Sequence, residues 1–225
     1  MPLFRPILAG AALGDRAIAG VGAALGIALT GLVAAQLFGA GALLLVAPIG
    51  ASAVLVFAVP ASPLAQPWSV IGGNALSAAW ALLVVHAVPQ QAAAAGVAVG
   101  GAILVMSLAR CLHPPGGAVA LSVILAAAGP APPGWSFPLS PVALDSTLLV
   151  LAGLAFHRVS GHAYPHRPSA PPSSSAFEPE DIDAALADMH ETFDIAREDL
   201  DALLARAAYH AGVRRERRGR SSPPR

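Results

Sequence analysis

The sequence predicts an all-α, polytopic membrane helix bundle. It reads as four to six transmembrane segments, two of them broken or re-entrant short helices, with an inverted 3+3 repeat as a possible plan. Three observations lead there. The 225 residues are 56% hydrophobic and only 12% charged, against roughly 25% charged in a typical globular domain. The charges are also segregated: no Asp, Glu, Lys or Arg occurs between Ala17 and Ala109, and Asp145 is the one formal charge between Cys111 and His157. A surface of that composition could not stay dispersed in water. Finally, prolines and glycines cut the apolar block into pieces close to the about 20 residues that a bilayer crossing needs.

Taken in order, Ile18–Phe38 is the first span, and the preceding MPLFRPILAGAALGDR lacks the separate apolar core and cleavage site of a signal peptide, so the span is expected to be retained. Ala42–Val59 carries Pro48 near its start and ends at Pro60-Ala-Ser-Pro63. Val70–Val88 and Ala92–Leu112 are each long enough to cross alone. Ala118–Ala128 is too short for a crossing and is expected as a half-helix. Val142–His157 closes the set, with Asp145, followed by Ser146 and Thr147, expected as a helix N-cap at the outer interface. Four full spans and two broken segments make the working topology. Arg5, Arg16, Arg110, Arg158 and Arg167 fall on one side of it, which places both termini in the cytoplasm. Gly39–Gly41, Pro89–Gln91 and Gly129–Pro141 form arginine-free outer loops. Gly22-x3-Gly26 and Gly96-x3-Gly100 are close-packing motifs. Trp68, Trp135 and His86 are expected at the interfaces.

Beyond a membrane domain at 1–164 comes a Pro/Ser-rich linker at 165–176, an acidic two-helix cytosolic segment at 177–211 and a basic, disordered tail at 212–225. Ile182, Leu186 and Met189 share one face of the first cytosolic helix; Leu200, Leu203, Leu204 and Ala207 line the second. A solvated tail is the simplest reading of the last stretch, although its arginines could also meet anionic lipid.

The same residues exclude several chemistries. One cysteine, Cys111, rules out a disulfide framework, a thiolate zinc site and an iron–sulfur cluster. All basic residues are arginine, so no Schiff-base or phosphate-loop lysine exists. GxGxxG, HExxH and GxSxG are absent, and no paired carboxylates or nucleophile accompany His113. No cofactor, metal or enzymatic activity is expected. Cys111 reads as inert.

Two stretches differ from ordinary membrane filler. The first runs Pro48-Ile-Gly50-Ala51-Ser52 through Pro60-Ala-Ser62-Pro63 to Gly72-Gly73-Asn74 and Ser77; the second is Arg110-Cys-Leu-His113-Pro114-Pro115-Gly116-Gly117-Ala118. In both, Pro and then Gly-Ala precede a short apolar run, marking a helix that starts at membrane depth. Such a start presents unpaired backbone N–H groups and a positive dipole end, which suits an anion. A span, a Pro-started short helix and a further hydrophobic segment occur twice, the plan of inverted-repeat transporters.

The string RCLHPPGGAVAL closely resembles the signature of the HPP family of integral membrane proteins, named for His-Pro-Pro. PIGASAVLVFAVPASPLAQPWSVIGGNALSA is similar to that family's other well-marked region, and GHAYPHR to the close of its membrane domain, so the resemblance covers about residues 14–167. It implies four or more spans and a transport role; plastid relatives in plants are associated with nitrite transport. Many bacterial members continue into two CBS domains. Phe177–Ala211 is similar to the acidic lead-in to those domains, but too little chain follows to form them here.

The expected function is therefore transport of a small solute, an inorganic anion such as nitrite being the named guess. The expected binding residues are His113, Arg110, Pro114, Pro115, Gly116, Gly117, Gly50, Ser52, Ser62, Asn74 and Ser77. Each has a plainer reading: bracing a helix start for His113, fixing topology for Arg110, interhelical hydrogen bonding for the serines and Asn74. The rival class is a non-transporting scaffold or sensor subunit that docks a soluble partner through its tail. Expected partners are the lipid bilayer, a small anion and a second copy of the chain, with no nucleic acid. The lack of lysine suggests a GC-rich bacterial genome and hence the cytoplasmic (inner) membrane.

Overall fold

The computed structural model describes residues 13–38, 46–167, 177–189 and 194–220. Residues 1–12, with Arg5, the outer loop at 39–41, most of the linker and residues 221–225 lie outside them. Two compact units divide the chain at His166 and Arg167.

Among the described residues, the first unit is a bundle of six α-helices. They are α1 (Leu13–Phe38), α2 (Ile49–Ala58), α3 (Pro67–Ala87), α4 (Gln91–Leu108), α5 (Pro114–Ala127) and α6 (Leu144–Ser160). A short 3-10 turn, Pro63–Ala65, leads into α3, and a wide π-type turn, Pro138–Ala143, leads into α6. Among the described residues, four stretches are long and apolar enough to cross a membrane: Leu13–Leu37, Pro67–Ala87, Gln91–Leu108 and Pro138–Ser160. The other two helices have 10 and 14 residues, so they rise about 15 and 21 Å and stop inside the bundle's depth. Each starts at proline because a first-turn residue needs no N–H: Pro48 precedes α2, and Pro114 and Pro115 open α5.

Polarity is arranged for lipid. On α1, Ile18, Val21, Leu25, Leu29 and Leu32 recur at helical spacing and are all exposed, while Thr30, Ser52, Asn74, Ser77, His113, Asp145 and Ser146 are buried. An apolar exterior around hydrogen-bonded polar groups is stable in hydrocarbon and unstable in water.

Helix pairing follows an internal symmetry. The packed pairs α1–α2, α1–α6 and α2–α6 correspond to α4–α5, α4–α3 and α5–α3 when the first three helices are exchanged with the second three, and α3–α6 and α2–α5 map onto themselves. Directions agree. Ala65 and Asn74 meet Tyr164 and Ser146 respectively, so α3 and α6 run antiparallel. Gly22 packs beside Phe156 and Gly26 beside Leu149, so α1 opposes α6; Trp80 meets Val97 while Gly73 lies near Met106, so α4 opposes α3. The core splits accordingly, one cluster around Leu82, Ala98, Met106 and Val123 and another around Val56, Phe57, Val70 and Leu149. Each short helix therefore packs on the third helix of the other repeat.

Gly22 and Gly26 leave room for the Phe57 and Phe156 rings, whereas Gly96 and Gly100 have nothing within 4 Å. Trp68 and Trp135 are exposed, and His86 stacks on Trp135 at 4.9 Å between centroids.

The second unit contains α7 (Pro179–Met189) and α8 (Arg197–Arg220). Arg197 bonds Asp183, Asp201 and Pro179 O, tying the two helices together near their starts. Two expectations need correction. Among residues 197–215 of α8 the buried ones are Ala202 and Ala205, with Leu203 and Tyr209 exposed; on α7 Ile182 is the buried residue, and Met189 is exposed. The described ties between the two helices are the Arg197 bonds to Asp183 and Pro179 O. The stretch 212–220, expected as disordered, is helical. Arginine is a good helix former, and Gly212 and Gly219 weaken a helix without breaking it as proline would.

Candidate functional site

The two short helices meet at their starts. His113, the N-cap of α5, is fully buried. Its Nδ1 lies 2.8 Å from Leu64 O and its Nε2 lies 2.8 Å from Ser52 Oγ in the first turn of α2. A carbonyl only accepts, so Nδ1 carries the proton, and in the neutral ring Nε2 accepts from the Ser52 hydroxyl. The Asn74 amide on α3 donates to Ser52 Oγ at 3.2 Å and to Ser146 Oγ at the start of α6 at 3.1 Å. One network thus ties α2, α3, α5 and α6, drawing on both repeats.

Close backbone packing makes this possible. A Cβ on Gly73 would stand 2.6 Å from His113 Cβ and 2.7 Å from Cys111 O; one on Gly116 would stand 2.7 Å from Ser77 Oγ and 2.9 Å from Gly73 O. Only glycine lets α3 and the start of α5 approach this far.

Three buried side-chain atoms have no hydrogen-bond partner among the described residues: Asn74 Oδ1, Ser77 Oγ and Asp145 Oδ1. Buried polar atoms are seldom left so. Both Asn74 amide hydrogens are committed to serines, which leaves its oxygen without a donor.

A second layer holds the loop that supplies Leu64. Ser62 Oγ accepts from Leu64 N, and Gln66 Nε2 donates to Pro60 O and Ser62 O. The strap after α6 then closes over it: Tyr164 donates to Ala65 O at 3.0 Å and His166 N to Gln66 Oε1 at 2.9 Å. Burial pushes the Tyr164 phenol above its ordinary range, keeping it a donor. His157 on α6 bonds Val56 O at 2.8 Å.

Of the residues expected at the site, His113, Ser52, Asn74, Ser77, Pro115 and Gly116 come together in the core. Gly117 and Ser62 stand beside it. Gly50 faces open space, Pro114 is exposed, and Arg110 points away from the core. Arg110 occupies the left-handed turn that ends α4, with φ 53°, and Cys111 N bonds Met106 O across it, a Schellman-type stop. The turn, not a ligand, sets its place.

The expected backbone anion cradle is also corrected. Gly50 N, Ala51 N and Ser52 N bond Ala47 O, Pro48 O and Pro48 O, and Gly116 N bonds His113 O. Tight turns satisfy these donors locally, and the prolines contribute none. Asp145 does not cap its own helix at an interface. It is fully buried, and its Oδ2 accepts from Val46 N at 3.2 Å, just ahead of α2. Ser146 was not among the expected site residues; it was visible in the sequence only as part of a helix start.

Among the described residues, no group of three or more His, Cys, Asp and Glu could hold a metal.

A family model, HPP, transmembrane region, matches residues 9–165. The chain belongs to the HPP family. This HPP protein is similar to two transmembrane proteins of Dictyostelium discoideum. One is 36% identical over 114 residues, covering 49% of this chain and 36% of the relative. The other is 40% identical over 85 residues, covering 36% of this chain and 30% of the relative. The matched stretch thus spans about a third of each relative's length. No solved structure matches the HPP chain.

Proposed function

We propose that this HPP protein moves a small solute across the membrane through the crossing of α2 and α5, with an inorganic anion such as nitrite as the candidate solute. The observation behind this reading is the His113–Ser52–Asn74–Ser146 network, buried where two oppositely directed short helices meet. Such a network in a bilayer is costly to keep unless it serves function or specificity. Because the N–H groups of Gly50, Ala51, Ser52 and Gly116 are taken, contact with the solute falls mainly to side chains: Ser77 Oγ, the neighbouring hydroxyls and the His113 ring.

The Ser52–His113 pair has the spacing of a nucleophile and base. Its Nδ1 rests on a backbone carbonyl, not a carboxylate, and both residues are shut from solvent; we read the protein as a transporter and not an enzyme. On the arginine distribution we place it in a bacterial inner membrane with both termini inside. The separate Arg167–Arg225 unit favours one other reading, a scaffold whose tail docks a soluble partner.

Nitrite uptake into liposomes holding the purified protein, with nitrate, chloride and formate compared, tests the proposal. Saturable uptake is expected, and His113→Ala should abolish it; His113→Gln, which keeps a donor and an acceptor, guards against a folding artefact. Normal uptake by a folded His113→Ala protein would remove this residue from the pathway.

A further inference from the structure

Asp145 is a buried carboxyl group that the network does not use. It sits in the first turn of α6, inside the span Pro138–Ser160, with no exposed surface. Oδ2 has one donor, Val46 N, and Oδ1 has none among the described residues.

Among the described residues no counter-charge stands near it. The chain has no lysine. On α6 itself the other titratable groups are His157 and Arg158, at the far end. On α1 they are Asp15 and Arg16, also at that end, because α1 runs opposite to α6; Arg16 there bonds Ala58 O. On α3 the one such group is His86, in the last turn, whereas Asn74 meets Ser146. Helix α2 and the 138–143 turn carry none, and neither does the 39–45 stretch by sequence. His113 is committed to Ser52 and Leu64. An ionised carboxylate in that setting is expensive, and a proton is the smallest ion that neutralises it.

Two links connect Asp145 to the starts of the short helices. Val46, which it holds, also accepts from Ile49 N at the start of α2. Its chain neighbour Ser146 accepts from Asn74, which reaches Ser52 and so His113. A neutral carboxyl accepts hydrogen bonds more weakly than a carboxylate, so proton uptake loosens the clamp between α6 and the start of α2.

We infer that Asp145 is a proton-binding site of the transport cycle, taking up one proton on the side where the anion enters and releasing it where the anion leaves. One anion and one proton then cross together with no net charge, which suits a core whose described residues include no buried arginine and, by sequence, no lysine. This rests on the transport reading above.

The test uses the full-length protein in liposomes with a trapped pH dye, protein-free vesicles correcting for diffusion of nitrous acid. Lowering the outside pH by one unit should speed nitrite uptake severalfold, up to about tenfold, and the lumen should acidify with it. Asp145→Asn keeps an oxygen for Val46 N–H but cannot exchange the proton; its nitrite uptake should lose both the pH dependence and the acidification. Uptake with no coupled proton, or full coupling in Asp145→Asn, overturns the inference. Infrared titration of the carboxyl band, wild type against Asp145→Asn, reads the site without flux. If no anion moves under any gradient, the transport reading fails; a protonated Asp145 band would then uphold the proton site alone, and a carboxylate that never protonates would overturn it too.

Discussion

Gly116 and Gly117 are adjacent in sequence and opposite in environment. A methyl at Gly116 meets Ser77 Oγ, the Met106 sulfur and Gly73 O within 2.9 Å, whereas at Gly117 its nearest neighbour is a Val99 carbon at 3.9 Å. Gly116→Ala should therefore cost about 1–3 kcal/mol by overpacking, and Gly117→Ala should gain about 0.5–1 kcal/mol from better helix propensity. Thermal unfolding in detergent would show both; equal effects would mean that α3 and α5 are not packed this closely. The repeated Pro-Gly pattern picked out both glycines and could not rank them, because which face meets α3 depends on helix rotation. Likewise His113, Ser52, Asn74 and Ser77 were legible as unusual polar residues among apolar ones. Their partners were not, since Ser52 and His113 are 61 positions apart.

At the scale of elements, the turn closing α4 is informative. Arg110 holds φ 53°, a conformation that costs a side-chain-bearing residue about 1–2 kcal/mol and glycine little. Arg110→Gly should stabilise the protein by about 1 kcal/mol and leave nitrite uptake unchanged, because the side chain lies outside the network. Loss of uptake in that variant, measured beside its melting temperature, would return Arg110 to the site. The starts of α2 and α5 carry a related lesson. Proline before Gly-Ala marked both starts correctly from sequence, and the inference that the N–H groups of Gly50, Ala51, Ser52 and Gly116 stand open did not follow, because local turns ending at Ala47, Pro48 and His113 use them. Asp145 was placed as a cap by the Ser-Thr that follow it; its bond to Val46, 99 residues away, is a product of packing.

For the whole molecule, the division at His166 separates a lipid-facing bundle from a charged helical pair. Deleting residues 176–225 should leave the bundle folded and its solute flux largely intact, since the network, the strap and both core clusters lie within the first unit. Reconstituted flux of the shortened chain checks this; loss of cellular function with flux retained would favour the docking role of the tail. The symmetry of helix pairing belongs to this scale as well. It joins the halves by exchange, each short helix resting on the other half's third helix, so neither half holds the network alone.

The sequence by itself determined the class, the spans and the breaks. Those follow from local composition: a bilayer demands long uncharged helices, and Pro48, Pro60, Pro63, Pro114 and Pro115 mark where helices start and stop. The HPP identity was legible for the same reason, resting on contiguous motifs. Tertiary structure alone decided which polar groups face one another. It set Asn74 between two serines and left its oxygen without a donor, turned Arg110 outward, and buried Asp145 against the start of α2. Such outcomes depend on helix rotation and crossing between segments far apart in the chain, and no local pattern of residues encodes them.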